Sequence, residues 1–338
     1  MKTYRESHPG TKRLTRLTAA AACLILAALI TACGYGRDEQ SHEPVSRKDP
    51  LPQAIDLGDG AQWDVIPYEL AIPEADREYR FVIINDLHII KDSEEILPDK
   101  RENVLSRMDG LFIDGSGNRS AEVWPSLCEA VNGLDPDAVI IAGDLVDFYS
   151  RSNMSALKEG LGKLSAPYMY LRADHDVGGW NTGLDKETIR EEESALCPYD
   201  PILSFLYPGF AVVGINDSTS QITEEGASAL EELLADKGRP VILFTHVPFE
   251  PESDAGLAAA SYESWEDRSL VWGSDSYYEP DPTTQRCMDL IFDGSGPVRA
   301  VFAGHLHFRY DGPLTETIEQ HVLDANYKGN ISVLTVKP

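Results

Sequence analysis

An α/β fold, with helices laid over the faces of β-sheets, is what the sequence predicts, and three observations predict it. Short, continuous apolar runs recur along most of the chain, as strands buried on both faces require. Segments with the 3.6-residue spacing of amphipathic helices lie between them, and that alternation favours mixed layers. The chain of 338 residues, 42% hydrophobic, is long enough to bury a large core.

In chain order, the strand-like runs are Phe81 to Ile84, Ala138 to Ala142, Tyr168 to Leu171, Phe210 to Ile215, Val241 to Phe244, Val298 to Phe302 and Ile331 to Val336. Between them Glu122 to Val131, Met154 to Leu164, Thr223 to Ala235 and Thr284 to Phe292 have helical spacing. Glu224 and Glu225 give the third of these an acidic first turn, which suits the positive end of a helix dipole. No internal repeat is visible. The expected organisation is a leader over 1–32, a tether over 33–77 and one folded domain over 78–338.

The leader differs in composition from everything after it. Lys2, Arg5, Lys12, Arg13 and Arg16 precede an uncharged, mostly apolar run of 14 residues from Leu17 to Ile30. Such a run falls short of the ~20 residues that a membrane-spanning helix needs, so an export signal is expected rather than a span. Ile30-Thr31-Ala32-Cys33 resembles the lipobox of bacterial lipoproteins, in which cleavage leaves a lipidated cysteine at the new N-terminus. That resemblance implies an exported lipoprotein, anchored to a membrane through a lipid on Cys33 and placed on the cell surface or in the periplasm. The Pro-, Gly- and acid-rich stretch from Gly34 to about Asp76 then reads as a tether.

The formal charge is −27, and the part after the leader is more acidic still, because residues 1–32 carry five Lys or Arg against Glu6 alone. Duplex nucleic acid is therefore not an expected partner, since phosphate backbones are bound through Lys and Arg. Cys128, Cys197 and Cys287, beyond Cys23 and Cys33, are too few and too scattered for a disulfide framework or a zinc ribbon.

Five of the apolar runs end in ionisable groups. These are Asn85-Asp86-Leu87-His88, Gly143-Asp144-Leu145-Val146-Asp147, Ala173-Asp174-His175-Asp176, Thr245-His246-Val247-Pro248 and Gly304-His305-Leu306-His307. Residues just past the carboxyl ends of strands in an open α/β sheet converge on one crevice, however distant they are in sequence. Five of the eight histidines fall in these segments. One histidine after one strand is ordinarily structural; the joint pattern points to a metal cluster. Strand alternation would let Asp86 with His88, and His305 with His307, point to the same side. Mixed carboxylate and imidazole donors suit Zn, Mn or Fe better than Ca.

In this order the segments resemble the calcineurin-like metallophosphoesterase family, whose pattern is Asp-x-His, Gly-Asp-x-x-Asp, Gly-Asn-His-Asp/Glu, a later His and Gly-His-x-His. The resemblance covers about 79 to 310. It implies a four-layer sandwich of two mixed β-sheets flanked by helices. It also implies two divalent ions (Mn, Fe or Zn), one held by Asp86, His88 and His307, with Asp144 bridging to a second held by Asp174, His246 and His305. His175 would be the general acid. Two such cations can polarise phosphoryl oxygens and activate a water for in-line attack. The implied activity is hydrolysis of phosphate esters or phosphoanhydrides, monoester or diester, in a phosphorylated small molecule or nucleotide.

Two departures stand out. Asp174 occupies the place of the family's Asn, with Ala173 for its Gly, and so adds a negative charge to the cluster. Asn85 replaces a small residue. Weaker candidates have plain alternatives beside them: Arg172 as a phosphate clamp or a carboxylate partner, Asp147 as a hydrogen-bonding support or a ligand, and Asn216-Asp217 at the crevice rim or in a turn. Asp176 would favour a charged His175 if their side chains met. The aromatic stretch Tyr262 to Tyr278 would cover the site or pack on the domain. His321 is assigned nothing. The competing functions are a surface binding module keeping the metals only as structure, and a metallohydrolase acting on acyl or amide bonds.

Overall fold

The computed structural model describes residues 49–338, apart from residues 59, 195–198, 252, 268, 269 and 275. The leader, Cys33 and Cys197 lie outside the described residues. No helix among the described residues is long and apolar enough to cross a membrane.

Among the described residues, twelve strands form two six-stranded sheets. The first contains β1 (Ala54–Asp56), β2 (Gln62–Ala71), β3 (Tyr79–Ile84), β4 (Ala138–Ala142), β5 (Tyr168–Leu171) and β12 (Asn330–Lys337), in the order β1-β2-β12-β3-β4-β5. The second contains β6 (Ile202–Tyr207), β7 (Phe210–Ile215), β8 (Val241–Thr245), β9 (Val298–Ala303), β10 (Tyr310–Pro313) and β11 (Glu319–Val322), in the order β10-β11-β9-β8-β7-β6. Both sheets are mixed: β3, β4 and β5 are parallel neighbours, as are β7, β8 and β9, whereas β12 with β3 and β6 with β7 pair antiparallel.

The alternation of side chains along each strand builds the layers. Phe81 and Ile83 of β3 point to one face and join Ile140, Phe210, Val212, Phe244, Phe302 and Leu334 in the core between the sheets. Val82 and Ile84 point the other way, toward the helices α2 (Ser120–Gly133) and α3 (Arg151–Leu161), where they pack with Trp124, Leu127 and Leu157. On the far side, Val213, Leu243 and Val301 meet Leu230 of α6 (Glu224–Leu234) and Met288 and Ile291 of α8 (Pro282–Ile291). Helix, sheet, sheet, helix is therefore the order of the four layers. Burying both faces of the central strands explains why they read as unbroken apolar runs. Burial of each core Phe contributes roughly 1.5–3 kcal/mol.

Four further helices and a π-helical turn complete the parts near the site. They are α1 (Arg101–Ser106), which runs into the π turn Arg107–Leu111, α4 (Asp174–Val177), α5 (Lys186–Ser194) and α7 (Gly256–Trp265). Thr223 caps α6 by accepting from Gly226 N–H at 3.1 Å, as its place before the acidic turn suggests.

The expected tether is shorter than the composition implied. Residues 62–71 are a full strand that pairs in parallel with β12 from Asp64 to Ala71, so the sheet takes in part of the stretch expected to be loose. Pro67 lies beyond the part of β2 that β1 covers, which ends at Asp64, and an edge position is where a strand tolerates proline. Cys128 and Cys287 are buried free thiols in different core clusters, so they do not bridge each other.

Candidate metal centre

The five sequence segments singled out after β3, β4, β5, β8 and β9 come together at one rim of the two sheets. Asp86, His88, Asp144 and His307 each offer a ligand atom within 4.8 Å of the others, as do Asp144, His246 and His305, and as do Asp144, Asp174 and His175. Asp144 is common to these three groups, and a fourth, His88 with Asp147 and His175, adjoins the first through His88. Asp174 thus falls beside Asp144 and His175 rather than in the group formed by His246 and His305.

The route by which the side chains converge differs from the expected one. β3 ends at Ile84 and β9 at Ala303, so neither Asp86-Leu87-His88 nor His305-Leu306-His307 is extended strand. Asp86, His88, Asp144, His305 and His307 all have left-handed backbones, with φ of 49°, 50°, 52°, 72° and 54°. Among the described residues they are five of the eight non-glycine residues in that region. Such conformations cost of order 1–3 kcal/mol each and persist only where surrounding contacts fix them.

Those contacts are visible. The loops after β3 and β4 hold each other through Asp86 N–H to Gly143 O at 3.0 Å and His88 N–H to Asp144 O at 2.9 Å. Asp176 accepts from the backbone N–H of Ala173, Asp144, Leu145 and Val146 at 2.9–3.1 Å, clasping the loop that carries Asp144. Asp217 does the same for the β8 loop, accepting from Thr245 Oγ1 and from the N–H of His246 and Val247. Gly143 (φ 90°) and Gly304 are required by space: a Cβ would stand 2.6 Å from His246 Nδ1 in the first case and 2.6 Å from Asp86 Oδ2 in the second.

Hydrogen bonds also set which ring nitrogen of each histidine faces the cluster. His246 Nδ1 lies 2.8 Å from Ala142 O, so it carries the proton and Nε2 is turned to Asp144 Oδ2 at 3.2 Å. His88 Nδ1 lies 3.2 Å from Asp147 Oδ1, and its Nε2 faces His307 Nε2 at 3.0 Å. Two imidazole nitrogens at that separation need a proton or a cation between them. Asn85, which had no account in the sequence, donates from Nδ2 to Asp86 Oδ2 at 2.6 Å and to Asp324 O at 3.2 Å, and so orients that carboxylate.

The electrostatics call for positive charge. Burial alone would raise the Asp86 carboxyl, but hydrogen bonding and charge from His307, with His246, bring it down to about 2. Asp144 is likewise held well below the usual carboxylate range, against burial, by His246 and His175. In return His246 is pushed well above the ordinary histidine value, burial being outweighed by Asp144 and Asp86. His175 rises to about 10, again against burial, through Asp144 and Asp147. By contrast, burial drops His88 to about 4, and burial with the charge on His246 drops His305 to about 3. Counting only the chain's own groups, the buried carboxylates obtain their counter-charge as protons on imidazoles.

Divalent ions fit this donor set. Asp144 Oδ1, His246 Nε2, His305 Nε2 and His307 Nδ1 are buried without a hydrogen-bond partner, and all four residues belong to the groups that converge on Asp144. Unsatisfied buried donors and acceptors are rare unless a ligand completes them. Carboxylate with imidazole is the donor mixture of Zn, Mn and Fe sites.

Residues 79–309 match the calcineurin-like phosphoesterase family. The chain belongs to that family. No curated protein sequence matches the chain. Among solved structures it is similar to a dimetal phosphatase from Danio rerio, at 12% identity over 74% of this chain and 88% of that one, with a TM-score of 0.47. It is also similar to a purple acid phosphatase from yellow lupin seeds, at 14% identity over 81% of this chain and 46% of that one, TM-score 0.43. The four-layer sandwich of two mixed sheets is the calcineurin-like phosphoesterase fold, and its His and Asp clusters are consistent with a dimetal hydrolytic centre.

The secondary candidates resolve as follows. Asp147 supports rather than stands alone: it accepts from His88 Nδ1 and from Arg107 Nε at 2.9 Å, and its main-chain oxygen accepts from His175 Nδ1 at 2.7 Å. The suggested pairing of Asp176 with His175 is corrected, because Asp176 spends its oxygens on backbone N–H groups and Asp147 is the carboxylate beside His175, at 3.4 Å. Arg172 is buried against Glu193 at 3.1 Å, the plain alternative to a phosphate clamp. His321 pairs with Asp311 at 2.7 Å and stacks on Phe302.

A cavity of ≈ 190 Å³ opens onto the cluster, lined by His88, Asp144, His175, His305 and His307 and walled by Arg107, Leu111, Phe112, Trp265 and Leu270. Part of the aromatic stretch Tyr262 to Tyr278 therefore does cover the site. Trp265 donates to Leu306 O at 2.8 Å, and Tyr278 sets its ring edge on His305. Sequence reasoning missed Arg107 and Phe112, whose ring stacks on His88 at 4.1 Å. They sit on and just after a π turn, a feature frequent at functional sites that leaves no mark in hydrophobic periodicity.

Proposed function

We propose that this protein is a dimetal phosphoesterase in which Asp86, His88 and His307 hold one divalent ion, Asp174, His246 and His305 a second, and Asp144 bridges them. The carrying observation is the convergence on Asp144 of carboxylates and imidazoles, with Asp144 Oδ1, His246 Nε2, His305 Nε2 and His307 Nδ1 buried and unsatisfied. Bound there, Mn, Fe or Zn supplies Lewis-acid polarisation of the phosphoryl group and activation of water.

The chain's own residues supply the rest. His175, at the cavity wall with its ring fixed by the main-chain oxygen of Asp147, is placed to deliver a proton to the departing alkoxide. Arg107, pinned by Asp147, puts a guanidinium at the same wall for a phosphoryl oxygen. Phe112 and Leu270 narrow the water's access.

The test is a phosphate-release and phosphodiester panel across Mn, Zn, Fe and Mg, with His175→Ala and His246→Ala as controls. Turnover that depends on a metal and on both residues supports the proposal. Metal-loaded protein that cleaves no monoester, diester or nucleotide would leave a metal-stabilised surface binding module, and ester turnover without phosphate release would mean acyl chemistry.

The setting of that activity is part of the proposal. The basic start, the apolar run and Ile30-Thr31-Ala32-Cys33 support export and anchoring by a lipid on Cys33, outside the cytoplasm of a bacterial cell. Labelled fatty acid incorporated by the native chain and lost in Cys33→Ser tests it; equal labelling of both would refute it.

A further inference from the structure

The cavity's walls differ in chemistry from its floor. The floor is the carboxylate and imidazole cluster; the mouth is Leu111, Trp265 and Leu270. Leu111 is 43% exposed and Trp265 40%, and large apolar side chains left in water beside a concave site mark a binding surface. Trp265 is also held in place. It ends α7, Glu266 follows with a left-handed φ of 57°, and its indole N–H is bonded to Leu306 O at 2.8 Å. Its ring meets His307 edge-on at 5.4 Å, so an exposed aromatic is fixed next to a cluster histidine rather than free to turn.

Charge points the same way. Among the described residues lining the cavity Arg107 is the one basic side chain apart from the imidazoles, and Asp147 already takes its Nε and Nη2. One guanidinium, half neutralised, suits a single phosphoryl group and offers nothing to a second. A chain of formal charge −27 adds no long-range attraction for polyanions.

We infer, resting on the phosphoesterase reading, that the preferred substrates are phosphate esters of uncharged apolar or aromatic alcohols, whose leaving group lies against Leu111, Trp265 and Leu270. In the reaction water attacks phosphorus, the P–O bond to the alcohol breaks, and the proton on His175 passes to the departing oxygen, giving free alcohol and phosphate. A polar or charged leaving group would desolvate against these walls without gaining a partner.

The metal-loaded protein is compared on benzyl phosphate, glycerol 3-phosphate and adenosine 5′-monophosphate, all esters of primary alcohols. The expected result is a kcat/KM for benzyl phosphate at least tenfold above either of the others. Leu111→Ser and Trp265→Ala each cut that ratio severalfold. Benzylphosphonate binding to the native protein changes tryptophan fluorescence, and Trp265→Phe loses the signal while keeping most of the affinity. Equal kcat/KM across the three esters, or preference for the nucleotide or glycerol ester, overturns the inference while leaving the phosphoesterase reading standing. Cleavage of none of the three or of any other phosphoester, with metal bound, removes the phosphoesterase reading and this inference together.

Discussion

His175 Nδ1 donates to the main-chain oxygen of Asp147 at 2.7 Å, which leaves Nε2 as the ring nitrogen available to a substrate. A group acting on the leaving alkoxide from that position touches no phosphoryl ligand and need hold no metal. His175→Ala should therefore lower kcat by ~10²–10⁴-fold while metal content stays that of the native protein. Metal analysis alongside steady-state rates checks both halves; loss of metal in step with activity would make His175 a ligand instead.

Asp147 is placed to align three side chains at once, His88, Arg107 and His175. Asp147→Asn keeps the shape but loses the charge, and should cost ~10–100-fold in metal affinity or activity. Arg107→Lys, which gives up the planar fork, should raise KM more than it lowers kcat. A fall in kcat alone would place Arg107 outside substrate binding.

Protons and metal compete at His246. Its ring is held charged well above the ordinary histidine value, so at neutral pH an incoming cation must displace that proton. His88 and His305, brought down to about 4 and about 3, are already neutral there and release nothing. Metal affinity should rise with pH between 6 and 8, with about one proton released per loaded site, measurable by calorimetry in buffers of different ionisation enthalpy. His246→Asn should abolish the release. A pH-independent affinity in the native protein contradicts the assignment.

Much of this centre was readable in the sequence because ionisable residues placed straight after buried strands have few other places to go. Asp86, Asp144, His246 and His307 stand in such places and come together at one rim, and the chain order of the segments points to the family. The left-handed turns that aim them were not readable: φ is fixed by clasps such as Asp176 on the Asp144 loop, whose partners are backbone groups and carry no side-chain signature. β2 was hidden because Pro67 and the surrounding acidic residues resemble linker, while the β12 strand that pairs with it lies more than two hundred residues away. Arg107 was missed because it follows no strand.

Gly143→Ala tests the packing directly. The new Cβ would meet His246 Nδ1 at 2.6 Å on a backbone already at φ 90°, so the variant should lose metal affinity by at least about tenfold. Gly115→Ala, where a Cβ meets nothing within 4 Å, should bind metal like the native chain. Similar metal affinity in both variants would mean the loop yields.

Asp174 in place of the family's Asn adds a carboxylate beside Asp144, and burial with that neighbour raises its own carboxyl. As a ligand it should tighten metal retention and weaken Lewis acidity. Asp174→Asn should then release metal faster under chelator yet turn over faster per loaded site. No change in either quantity would mean that Asp174 does not coordinate.

The most direct measurement is an anomalous-scattering map from crystals grown with manganese. Two peaks are predicted, one within coordination reach of Asp86, His88 and His307, the other of Asp174, His246 and His305, with Asp144 touching both. A single peak, or peaks that do not share Asp144, would contradict a two-metal centre.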